Sequence, residues 1–79
     1  MRPDIERTVI SIIAEQVCVA SDTIHGDTLI VDDLNIDVLE IIELMTEIDE
    51  RFGVRICDDD VDALRAVDQI VDYIEEQLL

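Results

Sequence analysis

"DDLNIDVLEIIELMTEIDERFGVRI", Asp32 to Ile56, is the stretch that decides how this chain folds. From Asp37 onward apolar residues recur at three- and four-residue steps. At about 100° per residue, Val38, Ile41, Ile42, Leu44, Met45, Ile48 and Phe52 fall on one broad arc, and Glu40, Glu43, Glu47 and Glu50 fall together on the opposite side. The spacing predicts an amphipathic helix from about Asp37 to Arg51. Asp37 suits its N-cap, because a carboxylate there accepts from the free N–H groups of the first turn. Gly53 suits its C-terminal end. A small nucleophile would make chemical sense just after Asp37, at the helix entrance. The residue there is Val38.

Upstream, "PDIERTVISIIAEQV" repeats the helical step through Ile5, Val9, Ile12, Ile13 and Val17. Pro3 fits the first turn, and Asp4 and Glu6 fit its positive end. The connection "CVASDTIHGDTLIVDDLNI" holds turn formers and the apolar Ile24, Leu29, Ile30, Val31 and Leu34. A loop this long is uncommon in a compact domain, and its apolar residues predict that it lies ordered across the helices. Downstream, "VRICDDDVDALRAV" predicts a short helical turn near Asp60 to Leu64. "VDQIVDYIEEQLL" predicts a last helix through Val67, Ile70, Val71, Ile74 and Leu78. No segment alternates with period two long enough to read as a strand. The expected fold is all-α: one domain over 1–79, a small bundle of three main helices and one short helix with a long first loop.

The composition sets the boundaries of function. Apolar residues make up 49% of the chain and aromatic residues only 3%, so Ile, Val and Leu must fill the core. No run of about 18 apolar residues is present, and no membrane-crossing helix is expected. "MRPDIERTV" has acids and no apolar core of a signal peptide, which predicts a cytoplasmic protein. There are five basic residues against 21 acidic ones, for a net charge of −16. Such a surface repels nucleic acid and anionic membranes and attracts proteins with basic patches. Cys18 and Cys57, without an export signal, read as two small buried hydrophobes rather than a disulfide.

Motifs for catalysis or metal binding fail on inspection. Asp58, Asp60 and Asp62 alternate as in a calcium loop, but the sixth position is Ala63 instead of Gly and the twelfth is Gln69 instead of Glu. His25, the only histidine, sits in a Gly-containing loop with no partner nearby in sequence. No phosphate loop, zinc spacing or nucleophile elbow occurs. The expectation is no catalytic residue, no metal site and no enzyme. Four glutamates at three- and four-residue steps destabilise a helix by a few tenths of a kcal/mol per pair, and that cost points to docking of a partner.

The pattern resembles the acyl carrier protein family. There a loop ending in Asp-Leu leads to an Asp-Ser-Leu motif at the start of an acidic second helix. "IERTVISIIAEQV" is similar to the family's first helix and "AVDQIVDYIEEQL" to its last. The resemblance covers nearly the whole chain. It implies a carrier whose Ser hydroxyl receives 4′-phosphopantetheine from coenzyme A, in fatty-acid-type or polyketide-type synthesis, and whose second helix is gripped by basic enzymes. On this chain the family's Asp falls on Asp37, its Ser on Val38 and its Leu on Leu39. The partner-binding residues it implies are Asp37, Leu39, Glu40, Glu43, Glu47, Asp49 and Glu50. Val38 has no oxygen and cannot form the phosphodiester, so no cofactor is expected unless Val38 replaces a parental Ser or another side chain is used. Ser11, Ser21, Thr28 and Thr46 lack the Asp–X–Leu context. Asn35 stands where the family usually has Gly, and Cys57 where it often has Pro.

The expected function is a monomeric, arm-less scaffold, or a priming-blocked variant of a carrier, that docks basic-patch enzymes of acyl-chain synthesis or transfer without touching nucleic acid or inserting into a membrane. The alternative is an acidic regulatory or decoy protein, a nucleic-acid mimic or antitoxin-like, with no role in acyl transfer. That reading requires acids displayed over the whole surface rather than concentrated on the second helix.

Overall fold

The computed structural model describes residues 2–61 and 63–78. Four helices follow in order: α1 (Arg2–Val17), α2 (Val38–Phe52), α3 (Asp58–Val61) and α4 (Val67–Leu78), with a 3-10 turn at Ser21–Thr23. Among the described residues there is no strand, only an isolated bridge between Leu29 and Ala66. The four helices are the ones the periodicity predicts. Leu79, expected in the last helix, and Asp62, the third acid of the apparent calcium loop, lie outside the described residues.

The core is one aliphatic cluster. α1 contributes Ile5, Val9, Ile12 and Ile13, α2 contributes Leu44, Met45 and Ile48, and α4 contributes Val67, Ile70, Val71 and Ile74. Burying each such side chain stabilises the fold by about 1.5–3 kcal/mol. Arg2 adds a polar tie between α1 and α4. Its guanidinium pairs with Asp68, Asp72 and Glu75, and the hydrogen bond to Asp72 raises its pKa, against a smaller lowering by burial.

α1 ends in a left-handed cap. Cys18 takes φ 58°, and the Val19 N–H donates to the Ala14 carbonyl at 3.1 Å, the six-to-one bond of that cap. This corrects the expectation for the cysteines. Cys18 and Cys57 are both exposed free thiols, and Cys18 occupies a turn position rather than a core one.

The long loop is ordered through three isoleucines and the backbone. Ile24, Ile30 and Ile36 are buried. The Ile30 N–H donates to the Arg65 carbonyl at 2.9 Å, and the Thr28 and Gly26 carbonyls accept from the Val67 and Asp68 N–H groups at 3.1 and 2.8 Å. Those two N–H groups belong to the first turn of α4, which has no intrahelical acceptors for them. The Gln69 side chain completes the cap by accepting from the Arg65 and Ala66 N–H groups. Leu29 and Val31, apolar residues of the same loop, stay exposed.

α3 starts two residues earlier than predicted. The Asp60 N–H donates to the Cys57 carbonyl at 2.9 Å and closes its first turn. The Tyr73 hydroxyl of α4 donates to the Asp60 carboxylate at 2.8 Å, which raises the Tyr73 pKa. Val61 and Leu64 pack on the core.

Candidate docking site

The loop delivers the chain to α2 through a fixed sequence of conformations. Asn35 takes φ 55°, a left-handed geometry that Asn tolerates better than most residues. Ile36 is then buried and anchors the turn. Asp37 is extended, and its Oδ1 accepts from the Glu40 N–H at 2.9 Å. The Ile41 N–H donates to the Asp37 carbonyl at 3.0 Å. Asp37 is therefore the N-cap the sequence predicts. Gly53, with φ 68°, closes the other end, its N–H donating to the Asp49 carbonyl.

The first turn presents apolar groups to solvent. Val38 and Leu39 are each 71% exposed and Ile42 is 56% exposed. The apolar arc read from the sequence carries Val38 and Ile42 beside the buried residues, and in the structure both are exposed. α2 buries only Leu44, Met45 and Ile48, flanked by the half-buried Ile41 and Phe52. Val38 and Ile42 fall past the edge of that stripe at about 100° per residue. Hydropathy alone does not separate a core side chain from one displayed for a partner, so no sequence signal marked Ile42 as part of this surface.

The acids divide into two groups. Glu43, Glu47 and Glu50 are exposed and Glu40 half-exposed, on the face beside Leu39. Glu43 accepts from the Gln16 side chain of α1 at 2.8 Å, and Glu47 lies 3.9 Å from Arg51. Asp49 stands apart. Half-buried, its carboxylate accepts from the Ile56 N–H at 3.2 Å and so holds the loop between α2 and α3. A groove of about 440 Å³ lies beside α2, lined in part by Ile30, Val31, Ile41, Val61 and Leu64.

The site does not fit a phosphopantetheine ester at its entrance. Residues 37–41 read Asp, Val, Leu, Glu, Ile, with no hydroxyl among them. The Thr46 hydroxyl lies two turns further on and donates to the Ile42 carbonyl at 2.9 Å. The Thr28 hydroxyl, far back in the loop, accepts from the His25 N–H at 2.8 Å.

A helical bundle with an N-capped acidic second helix defines a class, and comparison with known proteins agrees. A family profile described as "Phosphopantetheine attachment site" matches residues 7–74. The chain is 36% identical over 64 residues to an acyl carrier protein of Campylobacter hominis, covering 81% of each. It is 34% identical over 73 residues to one of Chlamydia trachomatis, covering 92% of this chain and 95% of that one. The solved structure of acyl carrier protein from Enterococcus faecalis superposes with a TM-score of 0.84 at 30% identity, covering 98% of both chains. The chain belongs to the acyl carrier protein family.

Proposed function

We propose that this chain is an arm-less member of its family, a module that docks basic-patch enzymes of acyl-chain synthesis or transfer through α2. The observation that carries the reading is Val38, 71% exposed at the capped helix entrance and without a hydroxyl to esterify. Leu39 supplies apolar contact beside it. Asp37, Glu40, Glu43, Glu47 and Glu50 supply the charge that steers and registers a basic surface. Asp49 acts by holding the loop after α2. The chain performs no catalysis in this reading, and the groove beside α2 receives no tethered cargo.

The test is binding of a basic enzyme recovered from acyl-chain synthesis, measured by calorimetry against the wild type and against Glu40→Lys with Glu43→Lys. Loss of binding in the double variant supports docking through α2. Unchanged binding sinks it and favours the acidic decoy.

A further inference from the structure

We propose that the chain is a dead-end competitor of the enzyme that installs phosphopantetheine: α2 occupies the transferase's carrier site and offers it no nucleophile. This rests on the docking role above and adds both the class of partner and the consequence of binding it.

The entrance of α2 is complete without a nucleophile. The left-handed Asn35, the buried Ile36, the Asp37 cap on the Glu40 N–H and the Ile41-to-Asp37 bond set the backbone. The side chain at position 38 is not among these supports. At 71% exposure Val38 projects from the fold rather than into it. A hydroxymethyl group there would change what the helix presents and leave its support as it is.

What Val38 presents is an apolar trio with Leu39 and Ile42, bordered in sequence by Asp37, Glu40 and Glu43. A second copy of this chain is a poor cover for it, because each copy carries −16 and would bring carboxylates against carboxylates. An anionic membrane is excluded by the same sign. The complement is a protein surface with an apolar centre and a basic rim. The match to a phosphopantetheine-attachment family over residues 7–74 directs that complement to the transferase.

The chemistry makes the encounter sterile. Priming needs an oxygen lone pair to attack the pyrophosphate of coenzyme A and a proton to leave that oxygen. Val38 has neither. No bond forms or breaks, coenzyme A stays intact, and the complex dissociates unchanged. Inhibition is therefore reversible and competitive with a primable carrier.

The chain's own Val38→Ser variant serves as the primable substrate, with saturating coenzyme A and a broad-specificity phosphopantetheinyl transferase. Wild-type chain is titrated in. The expected result is a rise in the apparent KM of the variant with kcat unchanged, and an inhibition constant within about threefold of that KM where KM reports binding. Val38→Asp should inhibit about tenfold more weakly, as loss of an anchoring contact would, although an acid in the first turn favours the helix and adds charge toward a basic partner. Glu40→Lys with Glu43→Lys in the wild-type background should abolish inhibition. Priming of Val38→Ser at an unchanged rate under excess wild type overturns the proposal and leaves docking to other enzymes standing. Failure of a folded Val38→Ser variant to gain an arm overturns the competitor proposal and counts against the docking reading as well. Equal inhibition by Val38→Asp overturns the apolar anchor.

Discussion

α2 and α4 both begin with a valine, and the two valines meet opposite surroundings. Val67 is fully buried, and its N–H is taken by the Thr28 carbonyl of the long loop. Val38 is 71% exposed, and the cap beside it is a single side chain, Asp37. The start of α4 is held by the rest of the molecule. The start of α2 is held locally and faces outward. A helix entrance whose support comes from one carboxylate and the turn before it leaves its first side chains available to a partner.

Truncating both valines should separate the two entrances by the largest margin. Val67→Ala should destabilise by about 2 kcal/mol, the transfer cost plus the cavity left behind. Val38→Ala should stay within about 0.5 kcal/mol, as at other exposed sites. Urea denaturation of the two variants measures both, and equal losses would mean that Val38 is packed. Asp37→Ala comes next, with a loss of about 1 kcal/mol from the uncapped Glu40 N–H and a fall in melting temperature of roughly 4–8 °C. A flat melting temperature would show that α2 does not depend on its cap. The smallest effect is a gain. Cys18→Gly should stabilise by about 0.5–1 kcal/mol, because glycine relieves the left-handed strain at φ 58°. A destabilised variant in the same melt would show that the thiol contributes a contact.

Much of this could be read from residue order. The aliphatic steps of α1, α2 and α4 name most of the buried residues, because a three- and four-residue repeat of Ile, Val and Leu has few other uses. Asp37 and Gly53 stand where caps are needed, and Asn35 in a Gly position accepted the left-handed turn. The unread parts depend on distant contacts. α3 sits at Asp58–Val61 rather than Asp60–Leu64, its first turn closed by the Asp60 N–H donating to the Cys57 carbonyl at 2.9 Å, and Tyr73 reaches Asp60 from across the bundle. Asp49 looks like one more surface acid until the Ile56 N–H is found against it. Val38 and Ile42 are apolar and on phase, and periodicity alone does not tell which part of a broad apolar arc meets the core, which lies further round the helix. Cys18 carries no sequence mark of a helix cap, since glycine is the usual residue there.

On the proposed reading the family scaffold is present and the attachment chemistry is lost at one side chain, Val38. Intact mass tests it most directly, after wild type and Val38→Ser are each incubated with a broad-specificity phosphopantetheinyl transferase and coenzyme A. No added mass is expected on the wild type, and one phosphopantetheine on Val38→Ser. An arm on the wild type would contradict it and would put the attachment point on another side chain.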